Sequence, residues 1–422
     1  MKHFEVRDPI HGMISFNELE WDIINSQPFQ RLRRIRQLAW TDYVYPGAMH
    51  TRFEHSLGVC HVISRLFDSI TRKDEDILRG EYNFETEGLK RQRQILRLAA
   101  LTHDLGHGPF SHAAEDAFPL HQHSDKRWTH EEYSAEIVKQ KLADIIDNHP
   151  INNNNYNINI SQITSLYSGS SNSGSSVVWK DLISGQMDAD RMDYLLRDSY
   201  HSGVQYGKFD LDRLVSTVKL CVDSNDTTHV LGVEDGGMHA VEGLILARYM
   251  MFTQVYFHKT RVAYDYHYDQ SFKNVLAETN GVFPSPDTLR GLDAYLGWDD
   301  WAIVSRLNDI QGSLHVEALK SRNHVRRVFA TPECPEEADR IRFDKAEVAL
   351  NGLDPVVRDA KKSWYKFQKE EIRLHDSQPG VRRSIPLATR SPVVNGLRTV
   401  EEKRLYVPLT SRAEASKRLE KL

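Results

Sequence analysis

Apolar positions recur with helical spacing over most of residues 18–145. In QRQILRLAAL (92–101), Ile95, Leu98, Ala99 and Leu101 fall on one side of a helix built from strong helix formers, which predicts a buried amphipathic helix. A second helix is predicted through RFEHSLGV (52–59) and beyond, where Val59, Val62, Ile63 and Leu66 share the core side and draw His55 towards it. The pattern stops at the asparagine run 152–155 and at SGSSNSGSS (168–176), so 150–176 reads as a flexible insertion too poor in apolar residues to fold by itself. Helical spacing resumes over 180–200 and 236–260, where Leu244, Met251 and Val255 can line one face. Past about residue 325 the texture turns to short, proline-broken, β-branched pieces such as VRRSIPL and KRLYVPL. The expected fold is mainly α: a helical core over 1–325 and a smaller α+β C-terminal lobe over 326–422.

Composition narrows the class. The 422 residues are 40 % hydrophobic and 27 % charged, enough to bury a large core. Lys and Arg number 54 against 59 Asp and Glu, and a formal charge of −5 argues against a surface built for nucleic acid or an anionic membrane. No signal-peptide core opens the chain, and the apolar run 241–252 is broken by Glu242 and Arg248, so a cytoplasmic protein without a membrane partner is expected. Cys60, Cys221 and Cys334 lie far apart, which excludes a CxxC zinc site and a disulfide framework. The phosphate loop GxxxxGK[ST] is absent, and Gly236-Gly237 reads as a turn before a helix. Four arginines in RLRRIRQL (31–38) lack the regular aromatic interleaving of a single-strand binder, so nucleic acid is at most a secondary partner. The aromatics of 249–268 read as core and interface.

The candidate chemistry lies in LTHDLGHGPFSH (101–112), which sets three histidines and an aspartate where a buried helix ends. Gly106, Gly108 and Pro109 break the helix and leave His103 and Asp104 at its end, a position suited to a mixed nitrogen and oxygen site for Mn, Fe or Zn. His55 is either a hydrogen-bonded core histidine or a further ligand. On a helical wheel of DADRMDYLLRD (188–198), Asp190, Tyr194, Asp198 and Arg191 span about 100°, opposite Met192, Leu195 and Leu196. That face is either a solvated charged surface or a set of groups for metal, phosphate and sugar.

RDPIHG (7–12), PFQRLRRIRQL (28–38), YPGAMHTRFEHSLGV (45–59), HDLGHGPFSH (103–112) and DADRMDYLLRD (188–198), in this order and spacing, resemble the HD-domain phosphohydrolases. More narrowly, they resemble the deoxynucleoside triphosphate triphosphohydrolases. The resemblance implies metal ligands His55, His103, Asp104 and Asp190, holding Mn, Fe, Zn or Ni, with Mg arriving on the nucleotide. It implies that His112, backed by Glu115, protonates the leaving 5′-oxygen, and that His107 and His130 match phosphate-contacting and catalytic histidines. Arg52 and Arg191 would hold phosphates, Tyr194 would pack on the sugar, Asp198 with Gln37 would read its 3′-hydroxyl, and Leu38 would flank it. His258, Lys259 and Tyr264 would match a later substrate-contacting helix. A regulatory nucleotide site of vertebrate members maps to Asn25, Gln30 and Arg33, with Asn25 replacing a guanine-reading aspartate. Family members assemble, so a homo-oligomer, dimer or tetramer, with allosteric control is implied. The residues by themselves leave open an HD phosphodiesterase or nuclease acting on cyclic nucleotides or single strands, and a nucleotide-sensing binding module.

Overall fold

The computed structural model describes residues 2–168, 177–222, 229–366, 371–375 and 384–422. An antiparallel hairpin of β1 (Phe4–Asp8) and β2 (Gly12–Phe16) leads into α1 (Glu18–Asn25), whose start is fixed by a reciprocal capping box between Asn17 and Glu20. The long helix α2 (Arg52–Lys73) starts in the same way, with Thr51 and Glu54 satisfying each other's free backbone groups. Its buried face, including Leu57, Val59, Val62, Ile63 and Leu66, packs on α3 (Thr86–Thr102), which buries Ile95, Leu96 and Leu98 in return. A shorter α4 (His130–Ile137) packs on the turn that follows α3, and the amphipathic α5 (Ala189–Ser202) packs on α2.

Two glycines permit the close approaches on which this layer depends. A Cβ at Gly58 of α2 would lie 1.9 Å from Asp193 Oδ1 and 2.4 Å from Arg197 Nη2 of α5. A Cβ at Gly106, just past α3, would lie 2.1 Å from the His130 carbonyl oxygen and 2.4 Å from the Ser134 amide nitrogen of α4. Any larger residue would force these helices apart.

A four-stranded sheet follows the order β3 (Val218–Val222), β4 (His229–Glu234), β7 (Arg373–His375), β8 (Ser384–Pro386), with β4 and β7 parallel. Helix α6 (Met238–Met251) continues into a π-helical turn, Phe252–Tyr256, and the chain breaks at His258, which caps α7 (Lys259–Val275). The third sheet sets β9 (Val400–Val407) between β5 (Arg326–Ala330) and β6 (Val356–Lys362), all antiparallel. Helices α8 (Glu337–Ala349) and α9 (Arg412–Leu419) cover it through a small core of Phe343, Ala346, Leu350, Leu405, Val407 and Ala415.

Two expectations need adjustment. The supposed insertion 150–176 is packed over 151–167: Ile151, Ile158, Ile163 and Leu166 are buried, and the Asn152 amide bonds the backbone of Ile146 and Ile158. Asparagine composition signalled disorder, but one asparagine acts as an internal clasp and isoleucines supply the core; 169–176 lie outside the described residues. Beyond residue 325 the chain divides its burial between two places, since Trp364, Tyr365, Ile372, Leu374 and Leu387 join the main core. The VRRSIPL piece is described only from Ser384 onward. Among the described residues no helix is long and apolar enough to cross a membrane.

Gly58→Ala is expected to lower unfolding free energy by about 3 kcal/mol, because Asp193 and Arg197 cannot yield. Gly80→Ala, where nothing lies within 4 Å, serves as the control and should be neutral or slightly stabilising. Urea denaturation followed by circular dichroism measures both, and equal midpoints would refute the packing argument.

Candidate metal centre and its cavity

Three separate pieces of chain meet at one point. The first turn of α2 supplies His55, the end of α3 supplies His103 and Asp104, and the first turn of α5 supplies Asp190. His55 Nε2 lies 2.9 Å from Asp190 Oδ1 and 3.6 Å from Asp104 Oδ2, while His103 Nε2 lies 3.3 Å from Asp104 Oδ1 and 3.8 Å from Asp190 Oδ1. Each imidazole uses its other nitrogen as a donor: His103 Nδ1 to the Ala100 carbonyl and His55 Nδ1 to Asp193 Oδ2, both at 2.7 Å. The Nε2 atoms therefore face the carboxylates, placed to carry a proton or to ligate a cation. Both Nε2 atoms are buried without a hydrogen-bond partner, an arrangement costly for a protein alone and suited to a divalent cation. Nitrogen and carboxylate donors without thiolate fit Mn, Fe, Zn or Ni.

Electrostatics agree with that fit. Burial alone would lower the His55 imidazole, but Asp190 and Asp193 beside it raise it to about 10. Burial would raise Asp104, yet Arg52, at 2.5 Å, holds it well below the usual carboxylate range. Asp190 is likewise lowered against burial by His103 and His55. A protein that keeps two carboxylates ionised here holds a negative pocket in which a cation is welcome.

A cavity of about 470 Å³ opens beside these groups. Gln37, Leu38, Arg52, Arg191, Tyr194 and Asp198 line it, as do His112 and Glu115. Asp198 is oriented by His50 Nε2 at 2.7 Å and by the Tyr256 hydroxyl at 2.6 Å. Glu115 Oε1 accepts from His112 Nδ1 and His130 Nδ1, both at 2.8 Å, and His107 stacks on His130 with ring centroids 3.8 Å apart. Burial would raise Glu115 and lower His130, but their mutual bond, with His112 adding to it, lowers the acid and raises His130. His107 is pushed well below its ordinary value by burial, Arg52 and His130, and is neutral. Phe110 and Ser111, which precede His112, both adopt left-handed backbone with φ of 58°.

Other expected contacts are absent from this cavity. His258 caps α7, Tyr264 is buried against Trp40 and Tyr43, and Lys259 lines a separate basic pocket of about 260 Å³ with Arg322, Arg326, Arg327 and Arg412. The end of α6 and its π-turn instead present Phe252, Tyr256 and the following Phe257 to the cavity, three aromatics that read as core and interface. Asn25, Gln30 and Arg33 gather at the surface, with Arg33 Nε on Gln30 Oε1 at 2.9 Å, and do not line the cavity. The arginine run is largely consumed internally: Arg31 bonds the Trp298 and Leu105 carbonyls, Arg34 pairs with Asp299 and Arg36 with Asp42.

Sequence reasoning missed Asp193, Arg248, Arg261 and Lys362. Asp193 follows Asp190 by three residues in an otherwise helical stretch, a spacing that signals a shared face. Arg248 stood out only as a charge interrupting an apolar run. Lys362 left no local signal.

Residues 52–198 match the family model described as the HD domain, and residues 209–332 match the HD associated region. The uncharacterized protein YwfO of Bacillus subtilis is 38 % identical over 60 % of this chain and 51 % of its own. A Dictyostelium discoideum protein named as a deoxynucleoside triphosphate triphosphohydrolase SAMHD1 homolog is 28 % identical over 87 % of this chain and 69 % of its own. A solved structure of a hypothetical protein from Aquifex aeolicus superposes with a TM-score of 0.79 at 27 % identity, covering 99 % of this chain and 100 % of the other. The chain spans about half the length of YwfO and of its archaeal and mycoplasmal counterparts.

Two outcomes are expected. Asp193→Asn should weaken Mn²⁺ affinity about 10- to 100-fold in calorimetric titration, because His55 Nδ1 loses the carboxylate charge that fixes its tautomer and an amide donor can take that oxygen's place; unchanged affinity would show that Asp193 serves packing alone. The Glu115–His130 bond should also be visible in stability against pH. The raised His130 contributes fully below about pH 6.5 and loses its contribution as pH rises through its folded value, whereas the lowered Glu115 contributes above about pH 4.5. The melting-temperature gap between wild type and Glu115→Gln should therefore peak between those limits and shrink above them.

Proposed function

We propose that this chain, which belongs to the HD-domain phosphohydrolases, hydrolyses deoxynucleoside triphosphates to a deoxynucleoside and inorganic triphosphate. The observation that carries the reading is the cavity's layout. Asp190, one of the metal-ligand candidates, shares its wall with arginines, with the carboxylate of Asp198 held by His50 and Tyr256, and with aromatic rings.

His55, His103, Asp104 and Asp190 would hold a divalent cation, which when bound supplies Lewis acidity for activating water and polarising a phosphoryl oxygen. Mg²⁺ would accompany the nucleotide. Arg52, Arg191 and Arg248 offset phosphate charge, and their placement in a partly enclosed cavity strengthens each interaction. His112 keeps Nδ1 on Glu115, leaving Nε2 to deliver a proton to the 5′-oxygen as the bond from phosphorus to that oxygen breaks. Glu115 keeps His130 in place, and His130 in turn supports the neutral ring of His107 near the phosphates. Asp198 retains lone pairs for a sugar hydroxyl beyond those taken by His50 and Tyr256, Gln37 joins it, and Tyr194 packs on the sugar with Leu38 alongside. Phe257 offers apolar surface to the base.

We place the reaction in the cytoplasm and infer a homo-oligomer, dimer or tetramer, with Asn25, Gln30 and Arg33 forming a regulatory nucleotide face. Purified metal-loaded protein incubated with each deoxynucleoside triphosphate should release deoxynucleoside and triphosphate, separated by anion exchange. Monophosphate with pyrophosphate, cleavage of cyclic nucleotides or single strands in its place, or nucleotide binding without turnover would overturn the reading. His112→Ala should lower kcat by about 10²- to 10⁴-fold with little change in KM. Asp104→Ala should lose metal and turnover together.

A further inference from the structure

We propose that Lys362, reaching from β6 of the C-terminal sheet into the catalytic cavity, anchors the phosphate farthest from the reacting one and so selects triphosphates over shorter chains. This rests on the nucleotide-hydrolase reading above and deepens it.

Alternation along β6 separates two adjacent lysines. Lys361 pairs with Glu401 on β9, whereas Lys362 turns to the cavity wall with its Nζ 4.8 Å from the Phe252 ring centroid. The other cations of the cavity have carboxylate partners: Arg52 has Asp104, Arg191 has Asp188 and Arg261 has Asp265. Lys362 and Arg248 have none among the described residues; Arg248 donates only to the Trp364 carbonyl, and its Nε is buried without a partner. The charged groups facing Lys362 are Arg248 from α6 and Arg191 from α5, and together with burial they lower its ammonium to about 8. Two uncompensated cations against a third form a repulsive array that a bound anion relieves.

Position along the cavity identifies the anion. Asp190 is among the charged neighbours of both Arg191 and Arg248, whereas the charged neighbours of Lys362 are Arg248 and Arg191. Lys362 thus stands at the end of the cationic series away from the metal ligands, where the last phosphate of a chain reacting at its first phosphorus would lie.

The test uses metal-loaded protein with Lys259→Ala and Arg322→Ala in the background, so that the second basic pocket adds no heat to calorimetry. Lys362→Met, which keeps the apolar stem on Phe252, should weaken inorganic tripolyphosphate binding about tenfold or more and pyrophosphate binding less than about threefold. Lys362→Arg should restore tripolyphosphate affinity. Above about pH 8 wild-type affinity should fall as the ammonium loses its proton, and K362R should not follow. Where turnover occurs, K362M should raise KM about tenfold with kcat held within about twofold. Unchanged tripolyphosphate affinity in K362M, or equal losses for both phosphates, would overturn the assignment. Tripolyphosphate binding needs no turnover, so this outcome stands apart from product identity, on which the hydrolase reading itself depends.

Discussion

The buried carboxylate of Asp193 is the constraint on which the site depends. It accepts from His55 Nδ1 and His11 Nε2, each at 2.7 Å, and from Arg197 at 2.8 and 2.9 Å, while Arg197 reaches on to Asp8 at 2.8 Å. A fully buried charge is tolerable only when paired and hydrogen-bonded in this way, so the N-terminal hairpin, α2 and α5 are tied to one geometry. Burial would raise Asp193, and Arg197 instead holds it well below its usual range, so the acceptor facing His55 is always ionised. Gly58 lets α2 come close enough for the network to close. The separation of His55 from Asp190 follows from that approach, since Asp190 and Asp193 share one helical face.

The turn carrying His103 and Asp104 is fixed by equivalent means. Ser134 of α4 donates to the His103 carbonyl at 2.6 Å and accepts from the Gly106 amide at 2.8 Å, and the Tyr295 hydroxyl takes the Gly106 carbonyl at 2.6 Å. Gly106 allows the same intimacy with α4 that Gly58 allows with α5. The candidate ligands therefore stand on backbone whose polar groups are spent on holding position, leaving the imidazole Nε2 atoms as the groups without internal partners.

Much of this was legible along the chain because its cause is local. A helix that ends in His103-Asp104 before two glycines and a proline shows its chemistry in the sequence, and the wheel of 188–198 gathers Asp190, Arg191, Tyr194 and Asp198, which all line the cavity. What escaped was long-range or a matter of register. Asp193 gains its meaning from His11 and His55, more than a hundred residues away. Helix α6 runs on through the π-turn Phe252–Tyr256 and ends there, α7 starts afresh after the extended His258, and His258, Lys259 and Tyr264 miss the cavity that Phe252, Tyr256 and Phe257 reach. The asparagine run looked unfoldable because composition cannot show that Asn152 closes its own loop.

The far segments also decide whether the cavity exists. Arg404 of β9 donates to the Phe257 carbonyl, and the Tyr406 hydroxyl holds the Lys259 carbonyl at 3.1 Å, so the C-terminal sheet fixes the π-turn and its aromatics. On the opposite wall, burial pushes Asp300 up to about 7 although it accepts the Arg36 amide at 2.9 Å and the Phe110 amide at 2.7 Å. Those two bonds join the loop bearing Gln37 and Leu38 to the loop bearing His112. Phe110 and Ser111 remain left-handed, a backbone cost of about 1–3 kcal/mol each, because Asp300, the Trp40 ring stacked 4.2 Å from Phe110 and the Ser111 bond to the Arg36 carbonyl together over-determine the turn. Strain held in that way aims His112 into the cavity, and because Ser111 Oγ also accepts Arg52 Nε at 2.8 Å, the same turn steadies the arginine that pairs with Asp104.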